Sequence, residues 1–238
     1  GTGKAGGLMA AALESILGDR LTEGIVNVKY DHTVPLRQVT LIEAGHPIPD
    51  EAGVRGAQHI VQLLEPLDEK DLVFCVISGG GSALMPLPVD GVTLAEKQAV
   101  TGQMLACGAT INEINTVRKH ISQVKGGQLA RLAAPATVIS LMLSDVIGDP
   151  LDVIASGPMV PDPSTFADCL AILKKYQLEE SLPASVLHHI RQGKKGGITE
   201  TPKPGDPVFD RVQNVLVATC SHALEAARVE AERLGYRA

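Results

Sequence analysis

Short apolar runs alternate with helix-like patterns along the chain. The apolar runs are rich in β-branched residues and end in glycine or polar residues, as buried parallel strands do where they open into loops. They predict strands at 24–30, 38–45, 71–81, 136–146 and 214–221. The intervening patterns predict helices at 6–18, 51–65, 93–109, 122–133, 164–176 and 221–235. This alternation predicts an α/β fold with three αβα layers and a mostly parallel, Rossmann-like sheet.

One stretch near the end of the chain is typical of a linker. It is rich in Gly, Pro, Lys and Thr, and it separates the bulk of the chain from one last strand and helix. We therefore predict a Rossmann-like domain over 1–192, a linker over 193–207, and over 208–238 a further βα unit that belongs to part of a second α/β domain. Because a glycine turn normally follows a strand, and because the chain stops in mid-pattern, we expect it to be a fragment of a longer protein.

Composition narrows the class of protein. Hydrophobic residues make up 45% and charged residues 20%, which is ordinary globular usage. Aromatics reach only 3% and the net charge is -6, which argues against nucleic acid or an anionic membrane as a partner. The four cysteines are widely spaced, and no apolar run has the length of a membrane span. We expect a cytoplasmic enzyme with small-molecule ligands, and we leave a homo-oligomer open.

The chain begins with GTGKAG, a glycine turn that leads into a helix. Glycines allow a phosphate to approach closely, and the helix N-terminus supplies N–H donors. Asp31 follows the next strand, where a dinucleotide fold places its ribose-binding acid, so NAD binding stays an alternative. A cation at a helix N-terminus is unfavourable unless an anion joins it. We therefore predict that Lys4 meets a phosphate or a carboxylate.

A second glycine loop follows the third predicted strand. Its backbone N–H groups and serine hydroxyls form a plausible anion nest, although the pattern is neither a Walker A loop nor a nucleophile elbow. The predicted phosphate-binding residues of this loop are Ser78, Gly79, Gly80, Gly81 and Ser82. The alternative is a flexible turn without a ligand.

Basic residues concentrate between positions 111 and 130 of this acidic chain. On a helix, Asn115, Arg118 and Ser122 share one face, while Lys119 and His120 turn away from it. The guanidinium fork of Arg118 suits a carboxylate or phosphate, and Lys125 lies beside a Gly-Gly step that ends the helix. The alternative is a solvated basic helix face.

Two aspartates follow the fourth predicted strand. Asp145 and Asp149 would suit Mg²⁺, which favours one or two carboxylates together with phosphate oxygens, although turn chemistry explains them equally well. His46 lies between glycine and proline in another loop that follows a strand, where it either touches substrate or bonds its own loop. Asp50, and Ser164 or Thr165, are predicted helix N-caps.

Six strings in order along the chain resemble the class II glycerate 2-kinases, whose C-terminal part is called the MOFRL domain. They are GKA at 3–5, AGHPIPDEAG at 44–53, SGGGSALMPLP at 78–88, EINTVRKHISQVKGGQLA at 113–130, SDVIGDPLDVIASGP at 144–158 and ETPKPGD at 200–206. The resemblance covers almost the whole chain, while the family is longer at both ends and its MOFRL domain has no counterpart here. It implies ATP- and Mg²⁺-dependent phosphorylation of D-glycerate at the 2-hydroxyl, in a cleft between two α/β domains, with Lys4 as the catalytic lysine.

The resemblance and the loops together give a hypothesis for the roles of the site residues. Residues 78–82, with Asn115 and Lys125, would bind the nucleotide phosphates, and Lys4 would neutralise the transferring phosphoryl group. Arg118 would pair with the glycerate carboxylate, while Asp145 or Asp149 would hold Mg²⁺ or orient the hydroxyl. The alternatives are an NAD(P)H-dependent hydroxypyruvate reductase and a non-catalytic module that binds nucleotide or sugar acid.

Overall fold

The computed structural model describes residues 1–237 and contains the five predicted strands. Every pairing between them is parallel: β1 pairs with β2, β3 with β4, and β4 with β5. The strands are β1 Gly24–Lys29, β2 Val39–Ala44, β3 Leu72–Ile77, β4 Thr137–Leu143 and β5 Val212–Ala218. The prediction of a mostly parallel α/β sheet is confirmed.

Residues 1–3 join β1 to β3. Thr2 forms parallel bridges to Asn27 of β1 and to Ile77 of β3. Its N–H donates to the carbonyl of Val76 at 2.8 Å, and its own carbonyl accepts from the N–H of Ser78 at 3.0 Å. The order across the sheet is therefore β2, β1, residues 1–3, β3, β4, β5. The winding reverses between residues 1–3 and β3, and in open α/β sheets ligands bind at the carboxyl ends of the strands beside such a point.

Helices cover both faces of the sheet. Helix α1, Gly6–Leu17, packs Ala10 against Val26, Val28 and Val76 on one face. Helices α2, Glu51–Leu64, and α6, Gln128–Ala133, pack on the other face together with Cys75 and Ile77 of β3. Because successive strand side chains point to opposite faces, Val76 and its two neighbours serve different layers. The predicted three-layer αβα arrangement is confirmed.

Four helices form a second hydrophobic core, which the sequence patterns do not predict. They are α4 Leu94–Ala106, α5 Ile111–His120, α7 Phe166–Lys175 and α8 Ala184–Lys194. Helix α5 begins at a capping box in which Thr110 and Glu113 bond each other's backbone N–H groups. Helix α8 begins after Pro183. Helix α8 was not among the predicted helices, whereas a helix that carries Asn115 and Arg118 and ends before the Gly-Gly step was expected without assigned bounds.

The helix predicted over 122–133 is wrong in its first half. Gly126 and Gly127 adopt φ angles of +59° and +79°, in the left-handed region that a continuing helix does not use, so only α6 forms there. The other predicted helices are confirmed with shifted ends, as are the N-caps Asp50 and Thr165.

Two helices complete the description, the short α3 Gly81–Leu84 after β3 and α9 Cys220–Arg233 after β5. Since β5 pairs with β4, the segment that follows the predicted linker extends the same sheet. The boundary at 193–207 and the second domain stay predictions. Among residues 1–237, no helix combines the length and apolarity that a bilayer crossing requires.

Candidate active site

The two glycine loops meet at the point where the winding of the sheet reverses. The N–H of Lys4 donates to the carbonyl of Gly79 at 2.9 Å, and the N–H of Ala5 donates to Oγ of Ser78 at 3.0 Å. Ser78 is only 1% exposed, so its hydroxyl fixes one loop against the other. The structure thus brings together two of the sequence-predicted anion-binding segments.

Glycine is required in this loop because three side chains crowd it. A Cβ on Gly79 would lie 2.0 Å from Oδ2 of Asp145. Gly80 has a φ of +88°, and a Cβ there would lie 2.9 Å from Cδ2 of His46 and 3.3 Å from Cγ of Lys4. The glycine loop therefore forms the floor of a site whose walls carry a lysine, a histidine and an aspartate.

The charges around this floor are open to solvent. Nζ of Lys4 lies 3.9 Å from Oδ2 of Asp145, and the two side chains are 42% and 52% exposed. Water screens a pair of this kind, so Lys4 stays available to a stronger anion. Partial burial, and secondly the charge of Lys4, lower the pKa of His46 below its ordinary value. The lowered pKa favours the neutral imidazole, which is able to accept a proton.

A buried chain of polar side chains connects the glycine loop with α5. Oγ of Ser82 lies 2.6 Å from Oγ of Ser156, and Ser156 donates to Oδ1 of Asn115 at 3.2 Å. Asn115 is 4% exposed and stands one helical turn before Arg118. The predicted residues Ser82, Asn115 and Arg118 thus belong to one connected region.

Three basic side chains beyond Asn115, namely Lys97, Arg118 and Lys125, influence one another electrostatically. Nε of Arg118 donates to Oγ1 of Thr101 at 3.5 Å, one turn of α4 after Lys97. Lys125 is 1% exposed, and its Nζ has no hydrogen-bond partner among residues 1–237. Burial, and then the charge of Arg118, lower its pKa to about 7. Lys97 donates to the carbonyl of Ile121 at 3.0 Å, while burial and the charges of Lys125 and Arg118 hold its pKa well below the ordinary range.

Sequence reasoning missed Lys97, although the sequence carries a signal for it. In α4, Lys97 falls on the apolar face between Leu94 and Val100, and all three side chains are buried. A lysine in such a position is buried with its charge and needs a reason to be there.

Lys119 and His120 turn away from this region, as predicted, and enter an ionic network. Nζ of Lys119 lies 3.2 Å from Oδ2 of Asp152 and 3.5 Å from Oδ1 of Asp162. Nε2 of His120 lies 3.0 Å from Oε2 of Glu200. Both basic side chains are buried, so the alternative of a solvated basic helix face is wrong at these positions.

The two aspartates predicted to bind metal lie in the loop after β4. Asp145 is exposed beside the glycine loop, while Oδ1 of Asp149 is buried without a hydrogen-bond partner in the described chain. No group of three or more His, Cys, Asp or Glu side chains is arranged as a metal site within residues 1–237. Asp31, the acid of the dinucleotide alternative, is exposed in a turn after β1 with a φ of +64°.

Comparison with known proteins gives consistent results. Residues 1–191 match a family described as a domain of unknown function, DUF4147. The chain is 47% identical over 236 residues to the glycerate 2-kinase of Pyrococcus horikoshii, covering 99% of this chain and 52% of that protein. It is 42% identical over 237 residues to the D-glycerate 2-kinase of Thermotoga maritima, covering 99% of this chain and 54% of that protein.

A solved structure agrees with these relatives. The crystal structure of glycerate kinase from Thermotoga maritima superposes with a TM-score of 0.87 at 43% identity, over 99% of this chain and 54% of that one. The chain thus spans about half the length of the curated relatives it matches. Fold, motifs and relatives agree, and the chain belongs to the glycerate 2-kinase family.

Proposed function

We propose that the protein phosphorylates D-glycerate at its 2-hydroxyl with ATP, giving 2-phosphoglycerate and ADP. The observation that carries this proposal is the meeting of Lys4, Asp145 and the glycine loop 78–82 at the reversal point of the sheet. The names of the relatives, glycerate 2-kinase and D-glycerate 2-kinase, support the substrate and the reaction class. ATP and glycerate would be its small-molecule partners, and the oligomeric state stays a prediction.

The residues at the reversal point would act by positioning and by charge neutralisation, which supply most of the catalysis in phosphoryl transfer. Backbone N–H groups of residues 78–82 would hold the nucleotide phosphates, with Ser78 fixing the loop. Lys4 would lie against the transferring phosphoryl group. The 2-hydroxyl oxygen of glycerate would bond to the γ-phosphorus as the bond from that phosphorus to the β,γ-bridging oxygen breaks; ADP would be the leaving group, and the hydroxyl proton would pass to water.

The loop after β4 fits Mg²⁺ bound together with phosphate. Asp145 offers an exposed carboxylate, and the buried, unpartnered Oδ1 of Asp149 is an acceptor that a cation would satisfy. Mg²⁺ typically takes one or two carboxylates and keeps waters and phosphate oxygens as its other ligands. When bound, it would neutralise phosphate charge.

The free state of all four cysteines supports the predicted cytoplasmic location.

The test replaces Lys4 by methionine, which removes the charge and keeps the aliphatic stem. We expect Lys4→Met to lower kcat about 10²- to 10³-fold, the usual loss when one donor to a developing charge is removed. Lys195→Met, at an exposed lysine after α8, is the matched control and should leave kcat unchanged. Turnover is measured as ADP release with D-glycerate, in the protein at its full natural length and in residues 1–238.

Product identity completes the test. Phosphorus NMR distinguishes 2-phosphoglycerate from 3-phosphoglycerate. Wild-type kcat in Lys4→Met would remove Lys4 from the mechanism. NAD(P)H oxidation with hydroxypyruvate, without ADP release from ATP and glycerate, would replace the kinase with the reductase alternative.

A further inference from the structure

The buried cations Lys97, Arg118 and Lys125 differ from the other buried lysine of this region. Lys119 is 3% exposed and has two aspartates within 3.5 Å. Lys125 is buried more completely, at 1% exposed, yet its Nζ has no partner among residues 1–237. The groups that shift the pKa of Lys125 and Lys97 electrostatically are cations only. Lys119 is therefore buried together with counterions, whereas Lys125 is buried without one among residues 1–237.

An unpaired ammonium group in a protein interior costs several kcal/mol unless it neutralises or finds a partner. A second and a third cation beside it raise that cost. Such an arrangement does not stabilise the fold. Loss of a proton relieves this cost, as the lowered pKa values of Lys125 and Lys97 indicate, and a bound anion would relieve it as well.

We propose that Lys97, Arg118 and Lys125 form the subsite for the carboxylate of the acceptor acid, so that Lys125 binds the acceptor and not the nucleotide phosphates to which the sequence hypothesis assigns it. This proposal rests on the proposed function. Lys97 and Lys125 are at most 5% exposed, whereas Arg118 is half-buried, so a ligand enters on the side of Arg118 and has to be small. A planar carboxylate matches the guanidinium fork.

The position of the cluster also separates it from the nucleotide. A triphosphate is larger than a carboxylate and needs access from solvent, and the Lys4 side chain beside the loop of residues 78–82 is 42% exposed. The contact between Ser82 and Ser156, and that between Ser156 and Asn115, connect this loop to α5, which carries Arg118. An acid held at α5 by its carboxylate would present its hydroxyl group towards the glycine loop.

Binding at this subsite should take up a proton. The charge of Arg118 of α5 disfavours protonation of Lys125 in the free protein, and the charges of Lys125 and Arg118 disfavour protonation of Lys97 of α4 in the same way. A bound carboxylate favours the protonated lysine and raises its pKa from about 7. Affinity for the acid should be constant below pH 7 and should fall by up to about tenfold per pH unit above it, until the pKa of the complex is reached.

The test uses Lys125→Met, with Arg118→Gln as a second variant and Lys195→Met as the exposed control. D-glycerate binding is measured by calorimetry without ATP, on the protein at its full natural length, and methyl D-glycerate serves as the uncharged analogue. We expect Lys125→Met to weaken glycerate binding at least about tenfold and to leave the KM for ATP unchanged. The wild type should bind D-glycerate more tightly than methyl D-glycerate. In Lys125→Met this ratio of affinities should decrease by the same factor as the affinity for D-glycerate.

A thermal measurement separates a binding role from a structural one. Replacing an unpaired buried charge by an apolar side chain of similar volume should leave the Tm unchanged or raise it, whereas Lys119→Met should lower it, because Asp162 then loses its lysine. Lys125→Met with a lowered Tm and unchanged glycerate affinity would overturn the proposal. A raised KM for ATP with unchanged glycerate binding would overturn it in favour of a nucleotide phosphate.

The outcome also distinguishes this proposal from the proposed function. Lys125-dependent binding of glycerate in a protein that transfers no phosphoryl group would support the subsite and overturn the kinase reaction. If Lys125→Met and Arg118→Gln both phosphorylate glycerate with unchanged affinity and KM for glycerate, the kinase reaction would be supported and the subsite overturned.

Discussion

Asp162 should be one of the carboxylates on which the stability of the fold depends most. Its side chain is fully buried. Oδ1 accepts from Nζ of Lys119 at 3.5 Å, from the N–H of Ser164 at 3.1 Å and from its hydroxyl at 2.7 Å, while Oδ2 accepts from the hydroxyl of Thr201 at 3.0 Å. Asp162→Ala would leave all these donors, including a buried ammonium group, without this acceptor.

The magnitude follows from the burial of the partners. Removing one member of a buried ion pair typically costs about 3–5 kcal/mol. For a chain of this size, each kcal/mol lowers the Tm by about 2–4 °C, so we expect a decrease of roughly 6–20 °C. Asp152→Ala is the matched control, because Asp152 also pairs with Lys119, at 3.2 Å, but its side chain is 43% exposed. Lys119 keeps Asp162 as a partner in Asp152→Ala, and a half-exposed carboxylate contributes only about 0–1 kcal/mol to its ion pair.

Urea and thermal unfolding of both variants, followed by far-UV circular dichroism, measure the difference. The m-value should stay constant, so that the change lies in the midpoint. Equal stability losses in the two variants, or a larger loss in Asp152→Ala, would refute the reasoning, since burial would then not decide the value of the pair.

Two further predictions concern the glycine loop and the response to acid. Gly80→Ala directs a Cβ at the His46 ring and should lower kcat. Gly91→Ala is the control, because Gly91 has a similar φ of +79° and nothing lies within 4 Å of its added Cβ, so it should share only the backbone strain of about 1 kcal/mol. Equal kcat values in the two variants would contradict the prediction. The ion pair with Lys175, at 2.6 Å, is the main cause that lowers the pKa of Glu113 to about 2. The wild type should therefore be more stable than Glu113→Gln above pH 4.5, and this difference in the free energy of unfolding should be lost as the pH falls from 4.5 to 2. A difference in urea midpoint that stays constant across that range would contradict the prediction.

The sequence predicts the sheet well because each strand carries its own signal. β-branched apolar residues followed by glycine or polar residues indicate both the strand and the end at which ligands bind. The caps at Asp50 and Thr165 are equally local. Helix α5 is harder to delimit from the sequence because its ten residues include seven polar or charged ones, and it buries only a narrow apolar stripe against α7. Its apolar partners come from distant parts of the chain.

The residues of the candidate site also fall into some that local sequence patterns predict and some that only the folded structure brings together. Lys4 and residues 78–82 can be proposed from the sequence because each lies in a short glycine-rich pattern next to a predicted helix or strand. The grouping of Lys97 with Lys125 is not visible, since the two positions are 28 residues apart and meet only when α4 packs beside α5. Composition is misleading here as well, because a chain with a net charge of -6 gives no hint of a buried region with cations alone.

Helix α5 carries basic residues that pair with carboxylates on one side and a basic residue without a carboxylate partner on the other. On one side, Lys119 and His120 bind carboxylates of the chain itself, Asp162 and Glu200, and these contacts fix the helix in position and rotation. On the other side, Arg118 meets no carboxylate of the described chain and has other cations beside it. A helix held only by its apolar stripe could rotate and move Arg118 away from the other two basic residues, because like charges repel. The contacts of Lys119 and His120 therefore hold Arg118 in the position that the proposed carboxylate subsite requires.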